Sequence, residues 1–210
     1  MHKYLKWSVD ELFDRACSTS PEPGGGGVSA MTGCLGSGML MMVAKITAGN
    51  NKYQDVRQEI EILIASIESN IEALKSLAQK DMDAFNGFMD ALSLPRETPE
   101  QVDLREEKKQ QAALLSAGIP LEMARISLAN LQSAAELAVI GSKLAISDVG
   151  VGANLLEASL KGALIMVDAN LPYIRDKKLV YEFVAERENL ALKAEELCKL
   201  TLERVRSRMN

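Results

Sequence analysis

Hydrophobic positions along this chain recur with helical spacing. Between Lys52 and Leu92 they fall at Ile60, Leu63, Ile64, Ile67, Ile71, Leu74, Leu77, Met82, Phe85, Met89 and Leu92. Steps that are mostly three or four predict one long amphipathic helix, with a seam long enough to pack against a second subunit as well as its own chain. Ser8-Val9-Asp10-Glu11 reads as a capping box and opens a short helix from about Val9 to Cys17. Two prolines and four glycines between Ser18 and Gly27 then break it. A very apolar helix follows from near Val28 to about Thr47, and Gly33, Gly36 and Gly38 within it suggest close approach of its backbone to a neighbour. Asn50-Asn51 marks a turn. Thr98-Pro99-Glu100-Gln101 combines a cap, a proline at the first helical position and a box-closing glutamine. Gly118-Ile119-Pro120 predicts a break, with a new helix from Leu121 to about Ile140 stopped by Gly141. Helices from Ser147-Asp148 to about Asn170, and from about Lys177 to Arg206, complete the pattern. With no alternating strand segment and no internal repeat, the expectation is an all-α helix bundle of about six helices, one of them long, in a single domain over residues 1–210.

Composition supports that picture. Aromatic residues are only 4% of the 210, and the abundant Ala, Leu, Ile, Glu, Lys and Met are helix formers. Net charge is −5 with both signs interspersed, so there is no basic stripe for nucleic acid. The uncharged stretch from Val28 to Ala44 is shorter than the roughly 20 residues that cross a bilayer, and Lys45 follows it, so no membrane span is expected. Three scattered cysteines, Cys17, Cys34 and Cys198, and the lack of a signal-peptide pattern point to a reducing cytoplasm.

The single histidine, His2, sits at the terminus, which excludes most His-based catalysis and the familiar His/Cys zinc constellations, and no metal is expected. There are no Glu-x-x-His pairs for a di-metal bundle and no Gly-x-Ser-x-Gly elbow. Catalysis is left to carboxylates, lysines, tyrosines and cysteines. Gly24-Gly25-Gly26-Gly27 precedes a helix without a Walker lysine or a preceding strand. It reads either as a flexible link or as a cradle where backbone N–H groups hold an anion or carbonyl oxygen, with Pro21 and Pro23 stiffening its approach.

The run Ser20-Pro21-Glu22-Pro23-Gly24-Gly25-Gly26-Gly27-Val28-Ser29-Ala30 resembles the opening motif of the formimidoyltetrahydrofolate cyclodeaminase/methenyltetrahydrofolate cyclohydrolase family. The likeness continues in order through Gly33-Cys34-Leu35-Gly36, Met42-Val43-Ala44, Lys52-Tyr53, Asp81-Met82-Asp83-Ala84-Phe85, Leu94-Pro95, Ile119-Pro120-Leu121, Ser147-Asp148-Val149-Gly150-Val151 and Asn170-Leu171. Two segments depart from the family's pattern. Gly49-Asn50-Asn51-Lys52-Tyr53 lacks the usual lysine run, and Gly141-Ser142-Lys143-Leu144 stands where asparagines are common.

The resemblance implies a cyclodeaminase-like fold, a tetrahydrofolate derivative as substrate and chemistry at the 5,10-methenyltetrahydrofolate centre. It implies Pro23 and Gly24, Gly25, Gly26 and Gly27 as one wall of the folate site. Asp148 is the first candidate for an acid/base or cation-stabilising role, since apolar Leu144-Ala145-Ile146 and Val149-Gly150-Val151 flank it; a helix N-cap is its other reading. Asp81, beside Met82 on the seam, is the second, against a solvated charge. Lys52, Tyr53 and Ser147 are candidate substrate contacts, Lys52 and Tyr53 for a carboxylate or a stacked pterin. Cys34 reads as a nucleophile or, more simply, a buried apolar residue. The long apolar seam between Ile60 and Leu92, with the final helix, leads to the expectation of a homodimer, and the resemblance implies assembly through helical faces as well. A non-catalytic folate-binding or scaffold protein of the same fold is the alternative.

Overall fold

The computed structural model describes residues 4–19 and 22–210. His2, Ser20 and Pro21 lie outside them. The elements are α1 (Val9–Ala16), α2 (Gly25–Ala48), α3 (Arg57–Ser93), α4 (Pro99–Ile140), α5 (Ile146–Asn170) and α6 (Lys177–Met209). Short 3-10 turns lie at Tyr4–Lys6, Asn51–Val56, Lys143–Ala145 and Leu171–Tyr173, and there is no strand among the described residues. Helices α2 to α5 form a four-helix core, with α4 touching α2, α3, α5 and α6, while α6 covers α4 and α5. The centre is filled by Leu40, Ile60, Ile67, Leu74, Met123, Leu131, Leu137, Leu156 and Leu160, all fully buried. Short α1 contributes no buried residue.

Helices α2 and α5 run antiparallel and close. A Cβ on Gly36 would lie 3.0 Å from the Gly152 carbonyl oxygen, and one on Gly152 would lie 2.9 Å from that of Gly36. Backbone cannot yield as a side chain can. Gly152→Ala is therefore expected to cost about 1–3 kcal/mol of stability, measured by urea denaturation. Around this crossing runs a buried polar layer. Asn70 donates to Asn130 Oδ1 (2.8 Å), Asn130 donates to Ser37 Oγ (2.7 Å), and Ser159 Oγ donates to the Ser29 carbonyl (2.7 Å). Each bond joins two different helices, so the layer favours one register of the bundle.

Three boundaries differ from expectation. The predicted break at Gly118-Ile119-Pro120 does not occur, and α4 runs unbroken through Pro120. A helical proline cannot donate to the carbonyl four residues back, here that of Ser116. The Asn170 side chain meets that loss: its Nδ2 donates to the Ser116 carbonyl (3.0 Å) and to that of Met166 (2.7 Å). Helix α2 begins at Gly25 rather than Val28, so three of the four glycines form its first turn; Gly24 is its N-cap. The long helix begins at Arg57, because Asn50 Oδ1 accepts from the Lys52 N–H (3.0 Å) and ties residues 51–56 into a 3-10 turn with Tyr53 off helical geometry.

Helices Gly25–Ala48 and Pro99–Ile140, and the segment Lys143–Tyr173, are long and apolar enough to cross a membrane by length and composition. About half of each apolar window is buried inside the bundle, against the other helices.

Candidate active site

The first turn of α2 stops level with Asp81 on α3. A Cβ on Gly26 would fall inside the Asp81 carboxylate, and one on Gly27 would lie 2.5 Å from Met82 Cε. No glycine in the described residues has positive φ. These two glycines therefore serve close approach, not an unusual backbone angle. The Gly27 N–H donates to the Asp81 carboxylate. Burial pushes that carboxyl up to about 6, and the Gly27 hydrogen bond opposes the rise in part.

Beyond this level α2 is absent and the α3 seam continues without a partner. Ile60, Leu63, Ile67, Leu74, Leu77 and Met82 are buried, but Phe85, Met89 and Leu92 are exposed. The space they face is a cavity of about 520 Å³, lined by Gly24, Gly25, Asp81, Met82, Phe85 and Phe88 among others, and closed by Ser116 of α4 and by Met166, Asn170 and Tyr173. Phe88 and Tyr173 meet edge to face with ring centroids 5.1 Å apart. Glu22, which accepts from Asn86 Nδ2 (2.8 Å), also lines it. Aromatic and thioether walls with few polar groups suit a flat heterocycle.

The candidate residues fall at two ends of the molecule. Gly24, Gly25, Gly26, Gly27 and Asp81 come together, and buried Pro23 precedes them. Lys52, Tyr53, Ser147 and Asp148 lie at the other end. Gly25 faces Met166 and Gly36 faces Gly152, so at 1.5 Å per residue Asp148 is roughly 20 Å from Asp81 along the bundle. Tyr53 Oη accepts from the Lys143 N–H (2.9 Å), which with a hydrogen bond from Ser142 holds the phenol below its ordinary value. Lys52 and Ser147 are exposed.

The apolar wrapping expected around Asp148 is incomplete, since Leu144 is 91% exposed. Asp148 is not an N-cap either. Ala145 holds that position, and Asp148 sits in the first turn of α5, where a carboxylate complements the helix dipole. Cys34 is half-buried, its thiol pushed up to about 11 by burial, which suits an apolar residue rather than a nucleophile.

Ser116, Phe88, Met166 and Tyr173 were not visible as site residues in the sequence; each belongs to an ordinary helical pattern or a turn. No group of three or more His, Cys, Asp or Glu side chains that could hold a metal ion occurs among the described residues. A second groove of about 880 Å³ lies between α3 and α4 alone, away from the glycine turn and Asp81.

Fold and site together define an all-helical bundle protein whose glycine-paved helix start and half-buried carboxylate floor an apolar cavity. Over residues 8–189 the chain matches the Formiminotransferase-cyclodeaminase family profile, and it belongs to that family. It is 30% identical to a methenyltetrahydrofolate cyclohydrolase of Methylorubrum extorquens, over 97% of this chain and 98% of that protein. It is 28% identical to a formimidoyltransferase-cyclodeaminase of Sus scrofa over 99% of this chain, but spans only 38% of that longer protein. Its fold is similar to the crystal structure of formiminotetrahydrofolate cyclodeaminase from Thermotoga maritima, with a TM-score of 0.87, 26% identity, and coverage of 97% of this chain and 98% of that one.

Proposed function

We propose that this chain is a one-carbon folate enzyme acting at the 5,10-methenyltetrahydrofolate centre, as a methenyltetrahydrofolate cyclohydrolase or a formimidoyltetrahydrofolate cyclodeaminase. The observation that carries this reading is the Asp81 carboxyl, half-buried at the floor of an aromatic-walled cavity and raised to about 6. Such a group is ionised at neutral pH yet basic enough to take a proton, which is what general-base catalysis needs.

The methenyl carbon is a cation shared between two nitrogens. In the cyclohydrolase direction Asp81 takes a proton from water as the water oxygen bonds to that carbon. The carbon–nitrogen bond to one ring nitrogen then breaks as Asp81 passes its proton to that nitrogen, the hydroxyl proton is released to solvent as the carbonyl forms, and an N-formyl product remains. In the cyclodeaminase direction an N–H nitrogen of the folate attacks the protonated formimidoyl carbon. Asp81 takes the proton that nitrogen sheds and passes it to the amino group, and the carbon–nitrogen bond breaks to release ammonia and leave the methenyl cation. In the cyclodeaminase direction the carboxylate faces positive charge as it develops, and in the cyclohydrolase direction it faces the cation already present, in a site of low polarity where its field is strong.

No metal enters this scheme, because the cationic carbon is already electrophilic. The scarcity of histidine, one in 210 residues, supports a metal-free site. Pro23, Gly24, Gly25, Gly26 and Gly27 are proposed as the substrate wall.

Lys52, Tyr53, Ser147 and Asp148 can reach the same ligand only from a second copy of the chain, so their roles are tied to a homodimer. Supporting that assembly are Leu144 at 91% exposure and the open α3–α4 groove, whose rim carries both signs of charge in Lys80, Lys108, Asp83 and Asp90. A cytoplasmic location, with neither nucleic acid nor membrane as partner, fits the sparse cysteines and the mutually buried apolar helices.

The two reactions are separated by one paired assay, ammonia release from formimidoyl-folate against decay of methenyl absorbance. Whichever is faster names the activity. Folate binding with neither reaction would make the chain a non-catalytic binding protein.

A further inference from the structure

One hydroxyl on the cavity wall lacks the partner that the other buried hydroxyls of the bundle have. Ser29, Thr32, Ser37, Thr47, Ser133 and Thr201 each donate their hydroxyl to the backbone carbonyl four residues back. That is the usual refuge of a hydroxyl inside a helix. The hydroxyl of Ser116 does not take it. Its Oγ is buried and has no hydrogen-bond partner, alone among the buried side-chain oxygens and nitrogens of the described residues. Ser116 lines the 520 Å³ cavity that also holds Asp81.

The reason this position is maintained lies one turn on. Pro120 leaves the Ser116 carbonyl without its helical donor, and Asn170 supplies one from the end of α5. Asn170 uses both amide hydrogens there and at the Met166 carbonyl, which fixes the wall on which Ser116 stands. The proline thus opens the helix ladder at the cavity, and the asparagine repairs it from across the cavity edge. A hydroxyl left unpaired is costly in a closed protein and useful where a ligand completes it.

We propose that Ser116 is a substrate-binding residue: its hydroxyl hydrogen-bonds the polar edge of the flat heterocycle held in this cavity, with Pro120 and Asn170 as its positioning residues. A hydroxyl both donates and accepts, so it can meet either an N–H or a C=O on that edge. The inference rests on the folate reading above and adds to it a binding contact that the sequence does not single out.

The test is Ser116→Ala, with KM and kcat measured on 5,10-methenyltetrahydrofolate and the melting temperature measured without ligand. Loss of one neutral hydrogen bond made equally in ground and transition states predicts KM raised roughly 3–10-fold, with kcat within about twofold. The ligand-free melting temperature should be unchanged or higher, since the hydroxyl has no partner to lose. An unchanged KM beside an active wild type overturns the inference alone. A raised KM with a lowered ligand-free melting temperature assigns Ser116 a structural role and also overturns it. A wild type that neither binds nor turns over the folate removes the folate reading itself, and this inference with it.

Discussion

Asp81→Asn should abolish most turnover and, at neutral pH, make the protein more stable. The first effect follows from removing the carboxylate beside the glycine turn, for which general acid–base catalysis predicts a loss of roughly 10²–10⁴-fold in kcat. The second follows from the raised pKa. An aspartate that titrates near 3.8 when unfolded and at about 6 when folded binds its proton more tightly in the native state. Between those values the folded protein holds more protons than the unfolded chain, so this group lowers stability as pH rises from about 4 to about 6. Above about 6 the full penalty, on the order of 2–3 kcal/mol, is present. Asparagine never ionises and its oxygen can still accept from Gly27, so the substitution should raise the melting temperature at pH 8 by several degrees, and the gain should vanish near pH 4. Thermal melts at the two pH values read this directly. A variant less stable at pH 8 would mean that the carboxylate is structurally held rather than strained. The same pKa sets the rate profile: activity that needs the ionised base should fall as pH drops through about 6.

Gly26→Ala should damage catalysis far more than either neighbouring substitution. The added methyl group would lie 2.4 Å from both Asp81 carboxylate oxygens, so the carboxylate, which accepts from the Gly27 N–H, must leave its place. Displacing a catalytic group by even about 1 Å costs on the order of 100-fold in rate, so kcat is expected to fall by roughly that factor. At Gly27 the methyl would meet the Met82 Cε at 2.5 Å, and at Gly25 the Met166 Sδ at 3.0 Å; both are ends of flexible side chains that can rotate away. Gly25→Ala and Gly27→Ala should therefore lose less than about tenfold. The graded series, measured as kcat on one folate substrate, distinguishes a glycine needed beside the carboxylate from glycines needed only to make a bend. Equal losses at all three positions would favour the bend.

What the amino-acid pattern disclosed, and what it did not, follows from the range of the forces involved. The three-four spacing from Ile60 to Met82, the Thr98/Gln101 box and the stop at Gly141 are local effects, and the helices they mark are present. Pro120 is a local breaker too, but the donor that offsets it is Asn170, 50 residues further on, and no local pattern announces that pairing. The same holds for Gly25, Gly26 and Gly27. Glycines before a helix usually signal a bend, and only the packing of α2 against Asp81 makes them the helix's own first turn. Phe85, Met89 and Leu92 look like any other seam positions. They become a cavity wall because α2 starts where it does. The family motifs listed Asp81 and Asp148 in sequence but carried no information on their separation, and the antiparallel course of α2 and α5 puts them at opposite ends of one chain. Ser116 has no motif at all, and only the hydrogen-bond pattern of the folded helices sets it apart.

The central claim is that the Asp81 cavity performs chemistry on a one-carbon folate. The measurement that tests it most directly is the decay of methenyl absorbance from 5,10-methenyltetrahydrofolate, with ammonia release from formimidoyl-folate followed in parallel, for the wild type and for folded Asp81→Asn. The account predicts that the wild type accelerates at least one of the two reactions and that Asp81→Asn retains its helical circular dichroism while losing at least about 100-fold of that rate. A wild type inert toward both substrates, or a folded Asp81→Asn variant as fast as the wild type, would contradict it.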